Sequence, residues 1–147
     1  MGPARMVTVA DIQKLFEQRT EAWAQRDPAA LAAGYADNAV VSSPMFPRAE
    51  GRAAIEHSFT SLFRVFPDWE IVLEEPCVSG NRAMQACKVR ATQKGDFMGI
   101  PGTGKRIEFD CVLIFDFEDG LIKRERRIYD FTGVLIQLGV LRGKPAL

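Results

Sequence analysis

The sequence contains little that points to metal or redox chemistry. Its 147 residues include a single histidine, His57, and three cysteines without a CxxC pair. A zinc site needs three or four such ligands, and no carboxylate pair stands at ligand spacing from His57. Because Cys77, Cys87 and Cys111 lie in apolar, strand-like segments, we interpret them as free thiols of a reducing compartment rather than a disulfide or metal set.

An excess of charge of either sign is also missing. Lys plus Arg number 19, as do Asp plus Glu, so the formal net charge is zero. A nucleic-acid binder normally carries a basic excess, and we therefore expect no nucleic-acid partner. The balance also predicts no charged funnel for an ionic substrate, and it favours specificity from an apolar pocket with a few polar groups.

Long apolar runs are absent as well. No segment approaches the roughly 20 apolar residues that span a bilayer, and residues 1–7 lack the apolar core of a secretory signal. We therefore predict a cytoplasmic protein with no membrane partner, and we expect residues 1–7 to be disordered or derived from a tag. The remaining composition, 47% hydrophobic and 26% charged, is that of one globular domain over residues 1–147.

The first half of the chain has the periodicity of helices, and the second half has the period of two that is typical of strands. We predict three helices. Thr8 caps the first, Asp27 caps the second, which starts at Pro28 and includes Tyr35, and the third starts at Gly51 and stops at Pro67. A short strand, Ala39–Ser42, lies between the second and third helices. We predict four further strands, Trp69–Val78, Met84–Thr92, Ile107–Phe117 and Leu121–Tyr129. A short C-terminal helix, Phe131–Leu141, is predicted to follow them. This order predicts an α+β fold whose bent sheet encloses a pocket.

Two charged positions in the predicted strands are candidates for chemistry. Alternation along the last strand places Arg126 and Asp130 on one face, and Asp130 adjoins apolar Phe131, so this face could point inward. A carboxylate tuned by burial and a guanidinium could move protons, or the two could form a structural ion pair. Asp110 interrupts an apolar strand, which indicates either a functional group or an exposed strand end.

No pattern points to a cofactor. Gly99–Lys105 approximates a phosphate-binding loop, but Arg106 stands where Ser or Thr should hold magnesium, and the segment joins two strands. Ser42 and Ser43 have no basic residue nearby that could activate a serine hydroxyl. We therefore expect no metal, flavin or serine-hydrolase mechanism, and no cofactor.

Five segments together resemble the SnoaL-like polyketide cyclases of the nuclear-transport-factor-two-like superfamily. They are Phe66–Trp69, Gly95–Lys105, Asp119–Arg126, Tyr129–Asp130 and Gln137–Gly139. The resemblance extends over residues 11–141 and implies a cone-shaped α+β barrel, in which three helices pack on a strongly bent antiparallel sheet around an apolar pocket. It also implies a homodimer built on the outer face of the sheet.

The resemblance further implies roles for two residues. An Asp in the last strand serves this family as general acid and base in an intramolecular aldol ring closure without a cofactor, and Asp130 stands at the matching position. Gln93 stands where many members carry a His. Gln can hydrogen-bond a carbonyl or enolate but cannot titrate, so this substitution departs from the usual mechanism.

Two related families suggest other chemistry. The base of ketosteroid isomerases corresponds to Ser43, and their helix-one tyrosine falls near Arg19, so that isomerase mechanism is not expected here. Limonene-epoxide-hydrolase-like enzymes use an Asp-Arg-Asp group, which Asp130, Arg126 and Asp110 could imitate.

These observations lead to one hypothesis and two alternatives. We expect a cofactor-independent cyclase or isomerase that acts on an apolar, polyketide-like small molecule by acid–base catalysis. Asp130 would move the proton, Arg126 would orient it or stabilise an oxyanion, and Gln93 would polarise a substrate oxygen. The expected substrate-binding residues are Trp23, Tyr35, Ser43, Phe59, Phe63, Met98 and Asp110. The alternatives are an epoxide-opening enzyme and a non-catalytic ligand-binding domain of the same fold.

Overall fold

The computed structural model describes residues 8–46 and 48–143, in which four helices pack against a curved, unclosed sheet of seven strands. The helices are α1 (Val9–Gln25), α2 (Pro28–Ala32), α3 (Arg52–Val65) and α4 (Phe131–Gln137). The strands are β1 (Tyr35–Ser42), β2 (Ala49–Glu50), β3 (Glu70–Leu73), β4 (Cys77–Ser79), β5 (Arg82–Thr92), β6 (Arg106–Glu118) and β7 (Leu121–Tyr129). The predicted α+β class is confirmed. The expectation for residues 1–7 lies outside the described residues.

The first helix begins at the predicted cap and brings a charged residue into the core. The Thr8 hydroxyl accepts from the Asp11 amide and the Asp11 carboxylate accepts from the Thr8 amide, each at 3.1 Å. This capping box satisfies two amides that the first turn cannot bond internally. The buried stripe of α1 runs from Ile12 to Trp23 and includes Arg19, whose side chain is 3% exposed. A buried guanidinium requires partners, which lie at the centre of the site described below.

The sheet follows the order β2-β1-β7-β6-β5-β3, and β4 also pairs with β5. The β1–β7 pair is parallel and the other five pairs are antiparallel, so the sheet is antiparallel as predicted except at this pair. Along β5 and β6 every second side chain is buried against the helices. The core therefore lies between the helices and the inner face of these long strands.

Two predicted elements differ from those in the structure. Tyr35 does not belong to the second helix. The helix ends at Ala32, and Tyr35 opens β1 opposite Ile122, after Gly34, a residue of low helix propensity. The predicted strand over residues 69–78 is two strands, because Pro76 has no amide hydrogen for a sheet and lies in the break between them.

A β-bulge in β7 decides which of its side chains face the core. Ile122 lies opposite Phe117, whereas Arg124 lies opposite the adjacent residue Asp116, so Lys123 is one extra residue in β7. One extra residue reverses the alternation of side chains. The buried Ile122 is therefore followed on the inner face by Glu125 rather than by Arg124.

The outer face of the sheet carries an apolar patch. Val72, Met84, Val112 and Ile128 are between 38% and 54% exposed. The homodimer that the family resemblance implies on this face remains a prediction. Within the described part of the chain, no helix is long and apolar enough to cross a membrane.

Candidate functional site

A narrow cavity lies between helices α1 and α3 and the inner face of β5, β6 and β7. Its empty volume, including its mouth, is about 380 Å³. Its lining residues are Trp23, Ser43, Met45, Phe46, Leu62, Trp69, Ile71, Cys87, Val89, Phe109, Cys111, Leu113, Arg127 and Tyr129. An apolar wall with a few polar groups is typical of a small-molecule site.

Two hydroxyl groups form one polar pair in this wall. The Tyr129 hydroxyl and the Ser43 hydroxyl lie 3.1 Å apart and share a hydrogen bond. Burial raises the pKa of Tyr129 to about 12, although the bond to Ser43 opposes this rise. Tyr129 is therefore a neutral hydroxyl at neutral pH, able both to donate and to accept a proton.

Arg127 is the only charged side chain in the cavity wall among the described residues, and Glu125 holds it in place. The Arg127 Nε donates to the Glu125 Oε2 at 2.8 Å. The Tyr35 hydroxyl donates to the Glu125 Oε1, and the Arg19 Nη1 donates to the Tyr35 hydroxyl at 3.0 Å. These four side chains form one buried network, which joins α1, β1 and β7 behind the cavity.

The network fixes the protonation of its members. Burial would raise the pKa of Glu125, but Arg127 and Arg19 outweigh it, and the pKa lies below its ordinary value. Burial would lower the pKa of Arg127, but the Glu125 carboxylate more than compensates, and the pKa lies above its ordinary value. Burial also raises the pKa of Tyr35 to about 12, against the opposing effect of Arg19. Glu125 is thus an anion and Tyr35 is neutral, while a guanidinium group is always a cation in a protein.

Several N–H donors around the cavity have no acceptor. Arg127 Nη2, Trp23 Nε1 and Trp69 Nε1 are buried without a hydrogen-bond partner, and all three side chains line the cavity. Arg19 Nη2 is likewise unpartnered, but Arg19 lies outside the cavity wall. A buried donor without an acceptor is unfavourable. The wall is therefore suited to a ligand that brings acceptor atoms.

Two thiols also belong to the wall. Cys87 of β5 and Cys111 of β6 lie directly opposite each other, and both are free and buried, as predicted for these two cysteines. Cys77 is free but exposed, because it lies outside the core-facing positions. Over residues 8–46 and 48–143, no group of three or more His, Cys, Asp or Glu could hold a metal ion.

The predicted substrate-binding aromatics lie at or behind the cavity. Trp23 lines it, as does Ser43, whose hydroxyl bonds to that of Tyr129. Phe59 is buried under the Arg127 guanidinium, 5.2 Å from its carbon, and Tyr35 belongs to the network. Phe63 packs edge-on against Trp23 at 6.0 Å and does not line the cavity.

Gln93 lies outside the cavity wall and holds the Gly-rich loop. It is fully buried, and its amide nitrogen donates to the carbonyls of Gly95, Ile100 and Pro101 at 3.1, 3.4 and 3.3 Å. Its carbonyl accepts from the Thr103 hydroxyl at 2.7 Å. These bonds use both donors and the acceptor of the amide, so Gln93 ties the Gly-rich loop to the end of β5.

The prediction that Asp130 and Arg126 face the interior is wrong, because the bulge at Lys123 reverses the alternation of β7. Both residues are exposed. Asp130 caps α4, where its carboxylate accepts from the Gly133 amide at 2.9 Å. The structure therefore does not bring Asp130, Arg126 and Gln93 together at the cavity.

Replacing Asp130 with Ala should lower the free energy of unfolding by about 1 kcal/mol, because α4 loses its cap. Asp130→Asn should remain within a few tenths of a kcal/mol of the wild type, since Asn caps as well as Asp. Urea unfolding of the three proteins measures the difference. An equal loss in both variants would mean that the charge, rather than the capping bond, stabilises this turn.

Two further predicted residues lie away from the cavity. Met98 is 66% exposed on the Gly-rich loop, and Asp110 is exposed on the outer face of β6, with its carboxylate 3.8 Å from the Lys88 ammonium. Asp110, Arg126 and Asp130 therefore do not form the Asp-Arg-Asp group of an epoxide hydrolase at this site.

The sequence interpretation missed the residues that carry the polar chemistry. Arg127 and Tyr129 share a strand face with Glu125, opposite the face of Arg126 and Asp130 that the sequence interpretation turns inward. The pairing of β7 with β6 shows the opposite, since Leu113 lies opposite Arg127 and Cys111 lies opposite Tyr129 on the apolar face of β6. The available signal was this apolar face of β6, which could have fixed the register.

Comparisons with known proteins agree with this architecture. TsrD from Streptomyces laurentii is 25% identical with a TM-score of 0.79, and the alignment covers 92% of this chain and 99% of that chain. AclR from Streptomyces galilaeus, a candidate hydroxylase, is 22% identical with a TM-score of 0.78 and coverages of 94% and 91%. IdmH from Streptomyces antibioticus, a candidate polyketide cyclase, is 24% identical with a TM-score of 0.68 and coverages of 87% and 98%.

No match is found among curated proteins. The family model described as SnoaL-like polyketide cyclase matches residues 13–138. This segment includes most of α1, the whole sheet and every residue of the cavity wall. The chain, with its narrow donor-lined cavity between helices and a curved sheet, therefore belongs to the SnoaL-like polyketide cyclase family.

Proposed function

We propose that this protein cyclises or isomerises a small, largely apolar, oxygen-bearing molecule of the polyketide type in the cavity, by acid–base chemistry without a cofactor. One observation carries the proposal. The cavity wall is apolar except for a hydroxyl pair and three N–H donors that lack acceptors. Oxygen atoms of a bound ketone or enol supply the acceptors that this wall lacks. Membership of the polyketide cyclase family supports the same substrate class.

The donors act most strongly when oxygen becomes negative during the reaction. Ring closure by an enol converts the attacked carbonyl oxygen into an alkoxide. Arg127 is charged and held by Glu125, and it would stabilise negative oxygen without reorganising. The indole N–H groups of Trp23 and Trp69 would hold other oxygens of the chain and orient the reacting ends.

The Tyr129–Ser43 pair would move the proton. As the ring closes, Tyr129 gives its proton to the alkoxide oxygen, and Ser43 gives its proton to Tyr129. Ser43 in turn takes the proton that the enol oxygen loses, so both hydroxyls end as they began. Their 3.1 Å separation suits this transfer, and neither group needs to titrate. In this mechanism the acid–base role lies with the hydroxyl pair instead of Asp130.

A direct test offers the purified protein linear poly-β-ketones with aromatic or alkyl starter units. We expect cyclised product, of unchanged mass, to form faster than in protein-free buffer. Liquid chromatography with mass spectrometry measures the rate, and the buffer sample gives the spontaneous background. Binding of these molecules without any gain in rate over buffer would contradict the cyclase proposal.

Ligand binding without catalysis is the second candidate function. The narrowness of the cavity and the lack of a carboxylate in its described wall favour it. Both tryptophans of the sequence line the cavity, so bound ligand should change the intrinsic fluorescence. A saturable fluorescence change with no turnover would assign the protein to this second class.

A further inference from the structure

The buried charges beside the cavity do not balance, although the chain as a whole is neutral. Arg19, Arg127 and Glu125 have side chains that are 3%, 12% and 0% exposed. Two of these groups are cations and one is an anion, and Tyr35, the fourth member of the network, is neutral at neutral pH. The network therefore carries one net positive charge inside the protein.

No described acidic residue of the cavity wall offsets this charge. The lining contains Arg127 and no Asp or Glu, and the Glu125 carboxylate already accepts from Arg127 and Tyr35. Cation–π contacts stabilise part of the excess positive charge. The guanidinium carbon of Arg127 lies 5.2 Å from the ring centre of Phe59, and that of Arg19 lies 5.0 Å from the ring centre of Phe115. A ring face stabilises a cation less than a buried anion does.

Arg127 is the member of the network that both lines the cavity and has an unused nitrogen. Arg127 uses its Nε for Glu125, while its Nη2 is buried without a partner, and the residue lines the cavity. The planar fork of a guanidinium suits carboxylate and enolate oxygens. Arg19 also has an unpartnered nitrogen, but it lies outside the cavity wall.

We propose that the ligand of this cavity carries one negative charge, as a carboxylate or as an ionised enol other than the enol that closes the ring, and places it against Arg127. This inference rests on the cavity being the ligand site of the proposed function, and it adds the charge of the substrate. An anion next to Arg127 neutralises the network and supplies an acceptor for the unpartnered nitrogen. The rest of the ligand is apolar, because the remaining wall is.

Matched pairs of small probes test the charge directly. One pair is trans-cinnamate and trans-cinnamamide, and the other is dimedone, a 1,3-diketone ionised near neutral pH, and its neutral enol methyl ether. Binding is followed by the fluorescence of Trp23 and Trp69. We expect the anion of at least one pair to bind the wild type at least about tenfold more tightly than its neutral partner. The pair that shows the larger ratio distinguishes a carboxylate ligand from an enolate ligand.

Variants of Arg127 test whether this residue causes the preference for the anionic probe. Arg127→Met should abolish it, and this variant should fold because Arg19 remains to neutralise Glu125. Arg127→Lys should retain part of it, since the charge stays while the fork is lost. Arg124→Met is the matched control, because it removes an arginine from the exposed face of the same strand and should leave the ratio unchanged.

Three results would overturn the inference. They are equal binding of anion and neutral partner by the wild type, an anion preference that survives in Arg127→Met, and no binding of either anion up to about millimolar concentration. The probes do not react, so the outcome is separate from the proposed function. Anion preference without any cyclisation would overturn the cyclase proposal alone, and cyclisation of neutral substrates without anion preference would overturn this inference alone.

Discussion

Glu125→Gln is expected to lower the free energy of unfolding by about 3–5 kcal/mol, the typical penalty for removing one partner of a buried ion pair. Glu125 is fully buried and accepts from both Arg127 and Tyr35. The amide would leave two buried guanidinium groups without an anion. It also donates hydrogen bonds where Arg127 and Tyr35 need an acceptor.

The urea midpoint and slope of the variant measure this loss, with Glu108→Gln as the matched control. Glu108 is exposed on β6 and lies 3.5 Å from the Lys88 ammonium and 3.4 Å from the Arg90 guanidinium. Exposed pairs contribute below about 1 kcal/mol, so the control should be nearly as stable as the wild type. A Glu125→Gln variant no less stable than Glu108→Gln would contradict the view that the network is held together by this carboxylate.

The same carboxylate predicts how stability depends on pH. The pKa of Glu125 is lower in the folded protein than its ordinary value of 4.5, so ionisation of Glu125 favours the folded state. Its contribution is fully present above pH 4.5 and is lost as the pH falls through the lower folded pKa. The difference in stability between wild type and Glu125→Gln should therefore shrink in acid. A difference that stays constant down to the folded pKa and below it would assign the effect to packing instead of charge.

Tyr129→Phe is expected to reduce turnover by about 10²- to 10⁴-fold, the usual range for loss of a positioned acid or base. The substitution keeps the ring, which packs on Phe109 with centroids 4.7 Å apart, and removes only the hydroxyl. Substrate binding should therefore change little, so that kcat falls while KM is nearly retained. Steady-state kinetics on a cyclised substrate gives both values.

A second substitution tests the proton relay, that is, the transfer of a proton through Ser43 and Tyr129. If Tyr129 and Ser43 act in series, Ser43→Ala should also lower kcat, and the double variant should be no worse than the poorer single variant. Ser79→Ala, at an exposed position of β4, is the control for removing a serine hydroxyl and should match the wild type. Full turnover in Tyr129→Phe together with a large loss in Asp130→Asn would return the acid–base role to Asp130 and contradict the relay.

Much of the fold could be predicted from the sequence, because its signals are local. The cap at Thr8, the apolar stripes of α1 and α3 and the alternation along β5 and β6 each reflect a periodicity of neighbouring residues. The break between β3 and β4 and the end of the second helix before Tyr35 differ from the prediction, although Pro76 and Gly34 are local signals for them. The family resemblance supplied the arrangement of the elements, and the structure agrees with it.

The polar groups of the site were harder to predict, because their position depends on one irregularity. Simple alternation from buried Ile122 would place Arg124, Arg126 and Asp130 inside. The extra residue Lys123 instead turns Glu125, Arg127 and Tyr129 inward, and nothing in the local sequence marks it as a bulge. Gln93 was misassigned for a related reason, since its partners Gly95, Ile100, Pro101 and Thr103 gather around it only when the Gly-rich loop folds back.

The bulge also has an evolutionary consequence. A strand of this length offers two complete sets of side chains, and the bulge keeps one of them at the cavity although β7 carries an extra residue. Deleting the codon for Lys123 would leave a regular ladder, in which Arg124 follows Ile122 and the inward glutamate, arginine and tyrosine keep their partners Phe115, Leu113 and Cys111. The end of β7 next to the hairpin is therefore expected to tolerate the loss of this residue without a change in the cavity wall. Relatives of this protein could thus differ in length at this turn and still present the same polar groups to the ligand.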